Sequence, residues 1–138
     1  MSTQESLQVV KDGFAAFGRG DMPRLLDLMA EDVVWDIPGA GLPLAGTYRG
    51  RDGVASFFQN LSADVEILDF QPREFLADGN RVLVVGWERT RVRTTNRTVE
   101  LDWVMAFTVR DGKVSAYRQY LDTKLFASAY EAAATAAG

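Results

Sequence analysis

The strongest constraint on this chain is a hairpin near its C-terminus, Thr98 to Leu121, closed by Val109-Arg110-Asp111-Gly112-Lys113. Its first strand alternates without a break. Val99, Leu101, Trp103, Met105, Phe107 and Val109 fall on one face, and Glu100, Asp102, Val104, Ala106, Thr108 and Arg110 on the other. The loop then decides which residues of the return strand join the apolar face, because a slip of one residue exchanges the faces. A two-residue Asp-Gly loop would set Arg118 beside Trp103 and Met105. A three-residue loop, Arg110-Asp111-Gly112 with Gly112 left-handed, groups Ser115, Tyr117, Gln119 and Leu121 with the apolar set instead. This second register is expected, since it sends Arg118 to the polar face with Glu100 and Asp102. The apolar face then holds a single amide, Gln119, which suits either a core with a satisfied polar group or the floor of a small-molecule pocket.

The N-terminal half reads as helices. Ser2-Thr3-Gln4-Glu5 has the capping-box form ahead of Leu7, Val10, Phe14 and Phe17 at helical spacing. Gly18-Arg19-Gly20 stops that helix, and Asp21 caps a second one with Pro23 in its first turn and Leu25, Leu28 and Met29 as its buried stripe. Val33 to Ile37 forms a short strand that Pro38-Gly39 ends. Residues 38–50 form a Gly/Pro-rich loop whose Leu42, Leu44 and Tyr48 must cover a pocket mouth or the core edge. Val54, Phe57, Phe58 and Leu61 mark a third helix.

Strands dominate from Asp64 onward. Val65 to Phe70 precedes Pro72, then Arg73 to Leu76 leads into an Asp78-Gly79 turn and the strand Arg81 to Arg93. On that strand Leu83, Val85, Trp87, Arg89 and Arg91 share one face, while Val82, Val84, Gly86, Glu88 and Thr90 share the other. Glu88 and Asp122 are expected to face outward, with Asp122 and Thr123 opening a tail helix that runs to about Tyr130. Three helices followed by a long antiparallel meander make an α+β layout, a cone-shaped curved antiparallel sheet wrapped around the helices. Its concave face is a natural pocket. Val104, Ala106, Val114 and Tyr120 form an apolar centre on the opposite face, expected to be a homodimer surface.

Composition narrows the chemistry. The 138 residues include no Cys and no His, which removes thiol nucleophiles, disulfides, imidazole bases and His-containing metal sites. Acid–base work would fall to Asp, Glu, Tyr or Lys, without metal or cofactor. A net charge of −4 argues against a nucleic-acid partner. No apolar run approaches a membrane span and no signal-peptide segment is evident, so a soluble, cytoplasmic protein is expected.

Three strings add a resemblance: Ala30-Glu31-Asp32-Val33-Val34-Trp35, Gly46-Thr47-Tyr48-Arg49-Gly50-Arg51-Asp52, and Phe107-Thr108-Val109-Arg110-Asp111-Gly112-Lys113-Val114. With the order of elements they resemble the nuclear-transport-factor-2-like (cystatin-like) superfamily, and within it SnoaL-like, ketosteroid-isomerase-related proteins. The resemblance covers nearly the whole chain, taken as one domain over 1–138; Ala-rich residues 132 to 138 have little to bury, so a frayed tail from about 131 is expected. It implies little about reaction, because the superfamily hosts isomerases, polyketide cyclases, hydrolases and members without known activity. Ketosteroid isomerase carries its base just before a Pro. Here Asp36 stands one residue early in Trp35-Asp36-Ile37-Pro38, Trp103 replaces the acidic oxyanion donor, and Gly13 or Phe14 replaces the Tyr. Steroid isomerisation is therefore disfavoured. The second half is similar to limonene-epoxide hydrolase through Glu88-Arg89 and Tyr117-Arg118-Gln119-Tyr120-Leu121-Asp122. Its Asp-Arg-Asp set maps onto Arg91, Arg89 and Gln119, so the Arg is kept, both carboxylates are lost, and epoxide hydrolysis is disfavoured too.

Two functions follow as expectations. The first is a cofactor-independent isomerase- or cyclase-type enzyme on a hydrophobic carbonyl or polyketide-like substrate. Asp36 would relay a proton, with Arg89 and Gln119 assisting, and Trp35, Tyr48, Phe58, Trp87, Trp103, Met105 and Tyr117 forming the substrate pocket. The second is a non-catalytic binding protein whose Arg89 clamps an apolar carboxylic acid, or which holds an aromatic ligand. Arg89 as a structural ion pair with Asp36, and Asp36 as a turn cap, stand beside these roles.

Overall fold

The computed structural model describes residues 2–131. The tail expected to fray lies, from residue 132 on, outside the described residues. Helix α1 (Thr3–Arg19) opens on the expected capping box, Ser2 accepting from the Glu5 N–H and Glu5 answering, and ends at Gly20 with φ 68°. Helix α2 (Met22–Asp27) is capped by Asp21. Strand β1 (Met29–Ile37) starts earlier than its apolar run suggests, so Met29 is buried as the first strand residue and not as a helical one. The Gly/Pro-rich loop yields a short strand, β2 (Gly46–Arg49), and Val54 and Phe57 turn helix α3 (Gly50–Asp64) toward the core. Strands β3 (Val65–Asp78), β4 (Arg81–Val92), β5 (Arg97–Arg110) and β6 (Lys113–Leu121) follow, then helix α4 (Thr123–Ser128), capped by Asp122. Among the described residues no helix is long and apolar enough to cross a membrane.

The six strands form one sheet in the order β2-β1-β6-β5-β4-β3. All pairings are antiparallel except β1 with β6, where the first strand inserts beside the last. Pro72 sits on the edge strand β3 at a register shift, a place where its missing N–H removes no interior ladder bond. The helices close the concave side. Phe14 of α1 packs on Phe70 and Phe75 of β3 and on Trp103 and Phe107 of β5, which joins the first helix to two strands.

The hairpin corrects the expected loop. Arg110 pairs with Lys113, so the loop is the two-residue Asp111-Gly112, both with positive φ (51° and 77°), as a tight hairpin turn requires. A register shift follows at once: Val109 faces Val114, but Thr108 faces Ala116, which leaves Ser115 as a bulge. The extra residue restores the expected grouping. Tyr117, Gln119 and Leu121 oppose Phe107, Met105 and Trp103 on the concave face. The same bulge turns Val114 inward, where it is 2 % exposed, so Val114 does not belong to the outer surface with Val104, Ala106 and Tyr120.

Strand β4 presents the opposite face from the one expected. Directly opposed residues of a ladder share a side of the sheet. Gly86 pairs with Trp103, Glu88 with Leu101 and Thr90 with Val99, all on the concave side. Trp87 and Arg89 pair with Asp102 and Glu100 on the convex side. Glu88 therefore points in, and Arg89 points out.

Candidate functional site

Between the concave sheet and helices α1 and α3 lies a cavity enclosing about 100 Å³. Its walls are aromatic and aliphatic, with Trp35, Phe58, Met105 and Tyr117 among them, and Leu42 and Leu44 of the loop after β1 close part of its rim. Four polar side chains interrupt these walls: Glu88, the hydrogen-bonded Tyr117 and Gln119, and Tyr130.

Glu88 is the titratable centre of this space. Thr90, two residues along β4 and fully buried, donates its hydroxyl to Glu88 Oε2. The other oxygen, Oε1, has no hydrogen-bond partner among the described residues. No Lys or Arg among them lines the cavity. Burial raises the Glu88 carboxyl above the usual carboxylate range, and the Thr90 hydrogen bond only partly opposes this. Tyr117 lies well above an ordinary phenol, first through burial and then through the negative charge of Glu88. Its hydroxyl donates to Gln119 Oε1 at 3.1 Å, and its ring stacks on Trp35 with centroids 3.8 Å apart. Tyr130 is raised by burial and by donating to Asp64 Oδ2 at 3.0 Å.

Several expected site residues lie elsewhere. Asp36 follows Trp35 on β1, so it takes the convex face, where Arg118 holds Oδ2 and Thr47 donates to Oδ1 at 3.4 Å. Its partner is Arg118 and not Arg89. Arg89 is exposed on that same face, and Trp87 there lies 5.3 Å beneath the guanidinium of Arg73. Tyr48 is half-buried outside the cavity, donating to the Leu44 carbonyl at 2.8 Å and packing on Phe57. Trp103 is core, 1 % exposed between Phe14 and Phe70, and its buried Nε1 has no partner among the described residues. The cavity keeps Trp35, Phe58, Met105, Tyr117 and Gln119.

Glu88, Thr90 and Tyr130 were missed. On β4 both faces carry charge, so alternation alone does not mark the inner one. The signal is the pairing with β5. Once residues 93–96 are read as the turn and Val92 is set against Arg97, the even residues of β4 from Val82 to Thr90 each meet an odd, apolar residue of β5.

A curved sheet closed by helices around an internal cavity is the nuclear-transport-factor-2-like architecture. The chain belongs to the SnoaL-like family, whose domain model matches residues 10–117. An NTF2-like protein from Burkholderia xenovorans LB400 is 54% identical, with 95% of this chain and 99% of that one covered and a TM-score of 0.88. TerC, crystallised with polyporic acid, is 29% identical over 90% of this chain and 96% of its own, with a TM-score of 0.80. A Mesorhizobium loti protein described as a candidate SnoaL-like polyketide cyclase shares the fold at 19% identity, with 82% and 96% covered and a TM-score of 0.70.

Proposed function

We propose that this SnoaL-like protein binds a hydrophobic carbonyl compound in its cavity and acts on it as a cofactor-independent enzyme of isomerase or cyclase type. The observation that carries this reading is Glu88. A carboxyl raised by burial, anchored through one oxygen and open through the other, is suited to taking and returning a proton. Glu88 takes the role first assigned to Asp36.

The step it supports is enolisation. Glu88 Oε1 takes a proton from the carbon next to a carbonyl, the C–H pair moves into a new C=C bond, and the oxygen becomes an enolate. The Gln119 amide N–H donates to that oxygen as its charge grows. In a β,γ-unsaturated carbonyl the negative charge extends through the neighbouring C=C to the γ-carbon; Glu88 returns the proton there, and the C=C moves into conjugation with the carbonyl. No electron leaves the substrate, so no redox partner is required.

A second reading, binding without turnover, is favoured by the Trp35–Tyr117 stack and Phe58, which suit an aromatic guest. The co-crystallisation of TerC with polyporic acid supports an organic ligand for a relative of this kind. The clamp first assigned to Arg89 for a carboxylic acid has no support, because that side chain lies across the sheet.

Deuterium exchange into the methyl group of acetophenone, followed by NMR in deuterated water, separates the readings. Wild type is expected to accelerate exchange and Glu88→Gln to lose about 10²- to 10⁴-fold of that acceleration. Equal rates in both proteins would sink the enzyme reading and leave binding.

A further inference from the structure

Tyr117 and Gln119 stand two residues apart on β6, both facing the cavity, and the phenol donates to the amide oxygen. A phenolic oxygen can also accept, so the amide could in principle be turned the other way. Burial decides the direction. The Tyr117 hydroxyl makes no other hydrogen bond among the described residues, and a buried donor left without one costs more than the bond it replaces. Gln119 Oε1 is therefore occupied. Its Nε2 hydrogens have no partner among the described residues and remain for a guest. The Trp35 ring, 5 % exposed and stacked on Tyr117 at 3.8 Å, keeps the phenol from turning away.

We propose that Tyr117 sets the hydrogen-bond polarity of the cavity: by holding Gln119 Oε1 it presents the amide N–H to the ligand, so the site selects guests that accept a hydrogen bond over guests that only donate one. This rests on the reading of the cavity as a ligand site and adds the ligand's class. The guest is an apolar body with an acceptor oxygen, a ketone, ester or lactone carbonyl, seated on Gln119. A guest offering only an N–H meets the amide donor head-on there and has to turn to Glu88 Oε1 instead, leaving Gln119 unpaired.

Two probes of similar size test it by calorimetry: acetophenone, which only accepts, and indole, which donates through its N–H. Wild type is expected to favour acetophenone over indole, and the change of that ratio between proteins reads Gln119, since indole can also donate to Glu88 Oε1. In Tyr117→Phe the ring and its stack remain but the amide is free to turn. Indole binding should strengthen and the ratio fall about five- to tenfold below that of wild type. Gln119→Leu should lose the ratio the other way, by weakening acetophenone. Glu88 is present in all three proteins and cancels in the comparison. A ratio near one in wild type, or an unchanged ratio in Tyr117→Phe, overturns the inference while the cavity remains a ligand site. If neither probe binds at millimolar concentration, the ligand-site reading falls and takes the inference with it.

Discussion

The indole of Trp103 lies directly against Gly86: a β-carbon at residue 86 would stand 2.3 Å from Trp103 Cη2 and 2.4 Å from Cζ2. Trp103 cannot swing away, because Phe14 stacks on it at 6.3 Å and Phe70 at 5.1 Å. The backbone cannot retreat either, since the Gln71 carbonyl is 2.7 Å from the same point. Gly86→Ala is therefore expected to destabilise the fold by about 1–3 kcal/mol or more through overpacking. Urea unfolding checks this, and a variant as stable as wild type would contradict the packing described.

Glu88 should make stability depend on pH. Its carboxyl is raised in the folded protein, chiefly by burial, while the unfolded chain titrates near the ordinary value of 4.5. Between those two values the folded state holds the extra proton, so stability falls as pH rises through that window and then levels. Glu88→Gln has no charge to bury. It should be more stable than wild type at neutral pH, with the gap closing below the ordinary value. Melting temperatures of both proteins measured from acid to neutral pH test this; a gap that widens on acidification would reverse the assignment.

How much of this could be read beforehand differs between neighbouring strands. On β5 every second residue from Val99 to Val109 is apolar, so the concave face is legible without any partner. On β6 the inward set Tyr117, Gln119 and Leu121 is legible too, but the means is not. Ser115 carries no mark of a bulge, and an unbulged Asp-Gly hairpin would give the wrong face. On β4 the inner run carries Glu88 and Thr90 and the outer Arg89 and Arg91, which look alike as polar residues. Only cross-strand register separates them. The acid of the site thus depended on a long-range pairing, whereas its aromatic wall depended on local alternation.

Asp36 and Arg118 oppose each other across the β1–β6 pair, with side chains 30 % and 46 % exposed. An ion pair this open to solvent is worth at most about 1 kcal/mol. Asp36→Asn should cost no more than that and should leave acetophenone exchange unchanged, since the residue is separated from the cavity by the sheet. A loss of exchange as large as that in Glu88→Gln would return the proton-transfer role to Asp36.

The convex face supplies the remaining prediction. Tyr120 is 50 % exposed at its centre beneath Arg118, whose guanidinium lies 5.3 Å from the ring, and Val104 and Ala106 lie beside it. Leu83, 38 % exposed, extends the apolar area across Ala106 on β4. We propose this face, without Val114, as the surface on which two copies meet. In a two-fold assembly each patch meets itself, so a charge placed there is felt twice. Light scattering at micromolar concentration should give twice the mass of the chain for wild type and a single chain for Tyr120→Arg, whose new charge also stands beside Arg118. The variant should keep its acetophenone exchange, because Tyr120 and Glu88 occupy opposite faces of the sheet. A monomeric wild type under these conditions would remove the proposed interface.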